Sequence, residues 1–159
     1  MKVPIFEYRR VYRAVSLIVL ALCANQRVST KGDAKSADVS KKRILIVEDD
    51  PDTRDIVSVI LEDAETEVLK AVEAPALTDI SWIEPDLILL DEWLPNKKGS
   101  ELCLEVKRNE GTAHIPVILI SAVCDLDVIA RNCRADGFIK KPFDIELLKQ
   151  VVSDCLLAC

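Results

Sequence analysis

From residue 42 onward, short runs that are apolar throughout alternate with longer amphipathic segments, and this alternation leaves few folds open. Residues 44–47 (Ile44, Leu45, Ile46, Val47), 67–71, 87–90 (Leu87, Ile88, Leu89, Leu90), 116–120 and 137–140 read as strands. Runs with no polar face suit strands covered on both sides, as in a parallel sheet. Residues 51–61, 74–81, 100–109, 125–133 and 144 to the C-terminus read as helices. Pro51 suits a first helical turn with Asp49 or Asp50 as its cap, and Ile56, Val57, Ile60 and Leu61 fall on one face. Leu102, Cys103 and Val106 make an inward stripe on the third helix, and Ile145, Leu148, Val152, Cys155 and Leu156 on the last. The second helix, with Pro75 near its start, has the weakest pattern. Five strands alternating with five helices imply βαβ units. The fold class is therefore α/β, a doubly wound five-stranded parallel sheet with right-handed crossovers and helices on both faces.

In such a sheet, ligands bind beyond the carboxyl ends of the strands, so the residues at those ends decide the chemistry. The first strand runs into Glu48, Asp49 and Asp50, the third ends at Asp91, the fourth ends at Ser121, and Lys141 and Pro142 follow the fifth. If the first strand lies beside the third, Glu48, Asp49 and Asp91 crowd one crevice. Clustered carboxylates repel, and Mg2+ relieves this while keeping waters and room for a phosphate oxygen. A cation there makes Asp91 an acceptor for a phosphoryl group, with Ser121 donating to one phosphoryl oxygen and Lys141 neutralising another. Taken singly, each residue has a plainer reading. Asp49 and Asp50 can be caps, Lys141 a solvated charge, Ser121 a strand-end hydroxyl, Trp82 and Trp93 packing residues, and His114 a surface loop residue. Their conjunction overturns the plain reading for Glu48, Asp49, Asp91, Ser121 and Lys141, and not for Trp82 or His114.

Among the 159 residues the net charge is -6, which argues against a nucleic-acid surface. Six cysteines (Cys23, Cys103, Cys124, Cys133, Cys155, Cys159) include no CxxC pair, and the chain has one histidine, so a metal cluster is disfavoured. The thiols read as reduced, small apolar residues of a cytoplasmic protein, with a redox or interchain role left open for Cys155 and Cys159 on one helical face. Residues 1–41 differ in kind: Lys2, Arg9, Arg10 and Arg13 precede an apolar run at 14–24, and a polar segment follows. That order resembles a signal peptide, but the run has about 11 residues against the ~20 of a transmembrane helix, and no clean cleavage signal closes it. A leader or overextended start, a membrane-surface or partner helix, and an export signal are three readings, in that order of preference.

The segments ILIVEDDP (44–51), PDLILLDEWLP (85–95), HIPVILISA (114–122) and GFIKKPF (137–143) resemble, in order and spacing, the receiver domain of two-component response regulators, the CheY-like family. The resemblance covers about residues 42–159, and it implies the flavodoxin-like (βα)5 fold with strand order 2-1-3-4-5. It implies that Asp91 accepts a phosphoryl group from a histidine kinase or histidine phosphotransfer protein. Asp49 matches the direct Mg2+ ligand, Glu48 a ligand acting through water, and the backbone carbonyl of Trp93 the remaining protein ligand. Ser121 matches the switch hydroxyl, Lys141 the phosphate-binding lysine, Pro142 the residue after a cis peptide bond, and Phe138 the aromatic switch position. In the family, inward rotation of the hydroxyl admits the aromatic ring and shifts the face made by the fourth helix, fifth strand and fifth helix. Asp50 falls where the family has no ligand, which leaves it as a cap.

About 16 residues follow Phe143, enough for the last helix, so the reading is a stand-alone switch, not an enzyme beyond its own phosphorylation and dephosphorylation, that signals through an unnamed downstream protein target. The chain departs from the family in two places. The connection from Ser121 to Lys141 is about two residues shorter than usual, and Arg134 stands where a helix-terminating glycine is common, so a short or displaced fourth helix is expected. Trp93 and Val123 are apolar at positions that govern water access, which predicts slow autodephosphorylation. A non-phosphorylated pseudo-receiver serving as an interaction module is the alternative. A flavin binder lacks support, because only four glycines occur and none forms a phosphate loop.

Overall fold

The computed structural model describes residues 41–157, so the apolar run at 14–24, Cys23 and Cys159 lie outside the described residues. The strands are β1 (Lys42–Val47), β2 (Thr66–Ala71), β3 (Leu87–Asp91), β4 (Val117–Ser121) and β5 (Gly137–Lys140). The helices are α1 (Pro51–Leu61), α2 (Leu77–Ile83), α3 (Gly99–Arg108), α4 (Leu126–Cys133) and α5 (Ile145–Leu157). All pairings are parallel and the strand order is β2-β1-β3-β4-β5, as the alternation and the resemblance imply.

Strand parity divides the core into two layers. Ile44, Ile46, Leu87, Leu89, Ile118 and Ile120 pack with Val57 and Leu61 of α1 and Leu148 and Val152 of α5. Leu45, Val47, Ile88, Leu90 and Leu119 have the opposite parity and point to the other face, as successive strand side chains must. That face is covered by α3 and α4, whose Leu102, Val106, Leu126 and Ala130 are buried. Every residue of β3 and β4 is buried. At about 1.5–3 kcal/mol for each large apolar side chain buried, these two strands anchor the molecule.

Two aspartates fix the amino end of the sheet. Asp86, just before β3, accepts the Arg43 N–H at 2.8 Å and the Lys42 ammonium at 2.9 Å. Asp136, just before β5, accepts the Val117 N–H at 2.7 Å and pairs with Lys107 at 2.6 Å. Each clamps its strand to the neighbour on one side and so pins register.

Element ends differ from expectation by a few residues. α2 begins at Leu77, not at 74, because the Asn96 carboxamide holds both the N–H and the carbonyl of Ala74, at 2.9 and 3.0 Å, before the helix can start. β4 runs to Ser121, which pairs with Lys140. Asp50 is the cap of α1, accepting the Thr53 N–H at 2.7 Å. α4 has eight residues and is closed by Arg134 at φ 62°, so the arginine takes the left-handed position that glycine usually fills.

Candidate functional site

The sheet order reverses between β1 and β3, which opens a crevice at their carboxyl ends. Val47 lies opposite Leu90, so Glu48 and Asp49 leave the sheet beside Asp91. One carboxylate oxygen from each of Glu48, Asp49 and Asp91 lies within 4.8 Å of the others. Glu48 and Asp91 are buried at 5% and 6% exposure, while Asp49 is open to solvent. Three hard oxygen donors, one of them facing water, fit a cation that keeps part of its hydration shell, such as Mg2+.

Lys141 enters this crevice from the end of β5, through a cis Lys141–Pro142 peptide bond. Its ammonium lies 2.7 Å from Glu48 Oε2 and 2.8 Å from Asp91 Oδ1. Burial opposes the ammonium charge, but the two carboxylates outweigh burial and hold the Lys141 pKa above its ordinary value. At Glu48 the balance is reversed: burial lifts its carboxyl above the ordinary value although Lys141 pulls the other way. The Lys141 N–H donates to the Ser121 carbonyl at 2.9 Å, which ties the lysine to the end of β4. The Ser121 side chain is buried, one residue beyond the partner of Asp91 on β4.

The backbone after Asp91 is fastened from below. The second Asp91 oxygen accepts the Trp93 N–H. Glu92 is buried, and its carboxylate accepts the Ser100 N–H at 2.8 Å and the Ser100 hydroxyl at 2.9 Å. It thereby caps the N-terminus of α3, where unpaired N–H groups favour an anion. The Gly99 N–H donates to the Glu92 carbonyl at 3.0 Å, and a Cβ at Gly99 would stand 2.1 Å from the Asp91 carbonyl oxygen. Trp93 forms an antiparallel bridge with Lys98, whose ammonium sits 5.2 Å from the indole centroid. Arg54 reaches back from α1 to the carbonyls of Glu48, at 2.9 Å, and Asp49, at 3.3 Å.

Glu48, Asp49, Asp91 and Lys141 therefore converge, with Ser121 at the neighbouring strand end and Trp93 on the adjoining turn. Phe138 stands two residues short of Lys140 on β5, opposite Leu119, and is 41% exposed. His114 lies elsewhere, in a cleft of about 480 Å³ at the amino end of the sheet, lined also by Lys41, Arg43 and Asp86. Trp82 is exposed, on α2. Sequence reasoning missed Glu92, Gly99, Asn96 and Arg54. One signal was available: a glycine that opens a helix, where glycine ordinarily closes one, marks a close backbone approach.

Residues 44–153 match the family model described as the response regulator receiver domain. Over 107 residues, 65% of this chain and 44% of the relative, the sequence is 38% identical to the DNA-binding dual master transcriptional regulator RpaA of Synechocystis sp.. Over 105 residues, 64% of this chain and 46% of the relative, it is 41% identical to the phosphate regulon transcriptional regulatory protein PhoB of Pseudomonas aeruginosa. The match thus spans less than half the length of either protein. A CheY-like receiver domain protein from Methanospirillum hungatei superposes with a TM-score of 0.66 at 30% identity, covering 75% of this chain and 96% of its own.

Proposed function

Since this chain belongs to the response regulator receiver family, we propose that it is a phosphorylation-dependent switch that takes a phosphoryl group on Asp91 from the phosphohistidine of a histidine kinase or histidine phosphotransfer protein. The observation that carries the reading is the convergence of Asp91 with Glu48, Asp49 and Lys141 at the sheet's switch point. Glu48, Asp49, Asp91 and the carbonyl of Trp93 would hold Mg2+, which when bound draws charge from the phosphoryl oxygens.

An Asp91 carboxylate oxygen attacks phosphorus, a P–O bond forms, the P–N bond to the donor imidazole breaks, and that nitrogen takes up a proton. Lys141, now on Asp91 Oδ1, follows the charge to a phosphoryl oxygen, while its bond to Glu48 keeps it over the crevice. The Trp93 N–H on the other carboxylate oxygen holds the Asp91 side chain in orientation. The Ser121 hydroxyl donates to a second phosphoryl oxygen, and this rearrangement is relayed along β4 and β5 towards Phe138.

The described helices include none long and apolar enough to cross a membrane, and the reading places the site in the cytoplasm with its phosphodonor. The signal leaves through a protein partner. DNA binding is named for the relatives and is not assigned to this receiver. Trp93, 60% exposed beside the acceptor, and Val123 offer no side-chain oxygen to accept a proton from a hydrolytic water, so autodephosphorylation is slow. Incubation with a histidine-phosphorylated donor protein and Mg2+ tests the proposal: label moves to the wild type and not to Asp91→Asn. Transfer to both would place the acceptor elsewhere.

A further inference from the structure

Two thiols that the site does not use meet between α3 and α4. Cys103, in the middle of α3, is fully buried, and its Sγ lies 3.4 Å from the carbonyl oxygen of Cys133, the last residue of α4. The two thiols also perturb each other electrostatically. The Cys133 Sγ lies 3.4 Å from the Ala130 carbonyl, so both sulfurs face the same end of α4. We propose that Cys103 and Cys133 are a dithiol modification site, oxidised by a hydroperoxide to an intramolecular disulfide that ties α3 to α4.

The two thiols have unequal roles. The neighbouring Cys103, helped by the Ala135 N–H, draws the Cys133 thiol below its ordinary value against the effect of burial. Cys133, with burial, pushes the Cys103 thiol up. Cys133, at the end of α4 with exposed residues on either side, is the attacking thiolate, and Cys103, fully buried in the middle of α3, is the resolving thiol. Cys133 is itself buried, at 3% exposure, between exposed Asn132 and Arg134 at the end of α4, where the helix closes on a left-handed arginine. The oxidant reaches Cys133 when this last helical turn, held by the Arg134 and Ala135 N–H groups on the Ala130 carbonyl, opens locally.

The Cys133 thiolate attacks a peroxide oxygen and breaks the O–O bond, leaving Cys133 sulfenic acid and, after protonation, water or an alcohol. The Cys103 sulfur then forms the S–S bond and displaces the sulfenic hydroxyl, which leaves as water with the Cys103 proton. The dithiol loses two electrons and two protons, and the hydroperoxide accepts both. Cys124 is exposed and serves as the internal control, since accessibility alone would favour its oxidation.

The test uses the full chain in native buffer, treated with hydrogen peroxide, then denatured with N-ethylmaleimide and mapped without reductant after trypsin. The expected dominant cross-link joins peptide 99–107 to peptide 132–134, and dithiothreitol removes it. In Cys103→Ser the cross-link is absent, and a sulfenic acid on Cys133 is trapped by dimedone. Recovery of both wild-type peptides alkylated while Cys124 is oxidised would overturn the proposal, as would a dominant cross-link from Cys133 to any other cysteine. The wild-type map decides the question even if the serine variant fails to fold.

Discussion

Glu92 and Gly99 make the surroundings of Asp91 rigid, each through an atom that leaves little latitude. Replacing Glu92 with alanine leaves the Ser100 N–H and hydroxyl without their partner at a buried helix start. The expected cost is about 2 kcal/mol by urea unfolding, with glutamine recovering part of it through its remaining acceptor oxygen. Gly99→Ala forces a methyl group against the Asp91 carbonyl, where backbone must move, and is expected to cost about 3 kcal/mol. A Gly99→Ala protein as stable as wild type would show that the Asp91–Gly99 approach is not tight. Asp91, Glu48, Asp49, Ser121 and Lys141 were legible because an apolar run announces its own end, and the polar residue that follows is placed by position alone. Glu92 and Gly99 were not, because their roles arise only when the start of α3 is brought up beneath the end of β3.

Among the elements, α4 carries the clearest departure from ordinary helix chemistry. Arg134 holds a left-handed conformation that costs a side chain about 1 kcal/mol relative to glycine, so Arg134→Gly is expected to stabilise the protein by about 0.5–1 kcal/mol. No gain would mean that the arginine side chain compensates. The clamp ahead of β3 gives a pH dependence. Burial alone would raise the Asp86 pKa, but the Arg43 N–H and the Lys42 ammonium outweigh it and hold it below 3.8. Its contribution is therefore present above pH 3.8 and is lost as pH falls through the lower folded value. In thermal melts, the stability gap between wild type and Asp86→Asn should be widest near neutrality and shrink below pH 3.8. Helix and strand order was legible from apolar periodicity, whereas the start of α2 was not. Asn96, twenty-two residues beyond Ala74, ties down the backbone three residues before that start.

At the scale of the whole molecule, the sheet order places an acidic cluster and a lysine from three strands in one crevice, and the switch reading depends on that convergence. The alternation of elements was sufficient to read the parallel sheet, while the order of its strands came from the family resemblance, because periodicity does not say which strands are neighbours. The most direct measurement is the intact mass of the purified protein after incubation with acetyl phosphate and Mg2+, beside Asp91→Asn and a Mg2+-free control. The account predicts a gain of one phosphoryl group, about 80 Da, in the wild type with Mg2+ and in neither control. No gain in a folded wild type that binds Mg2+ would contradict it and leave an interaction module that is not phosphorylated.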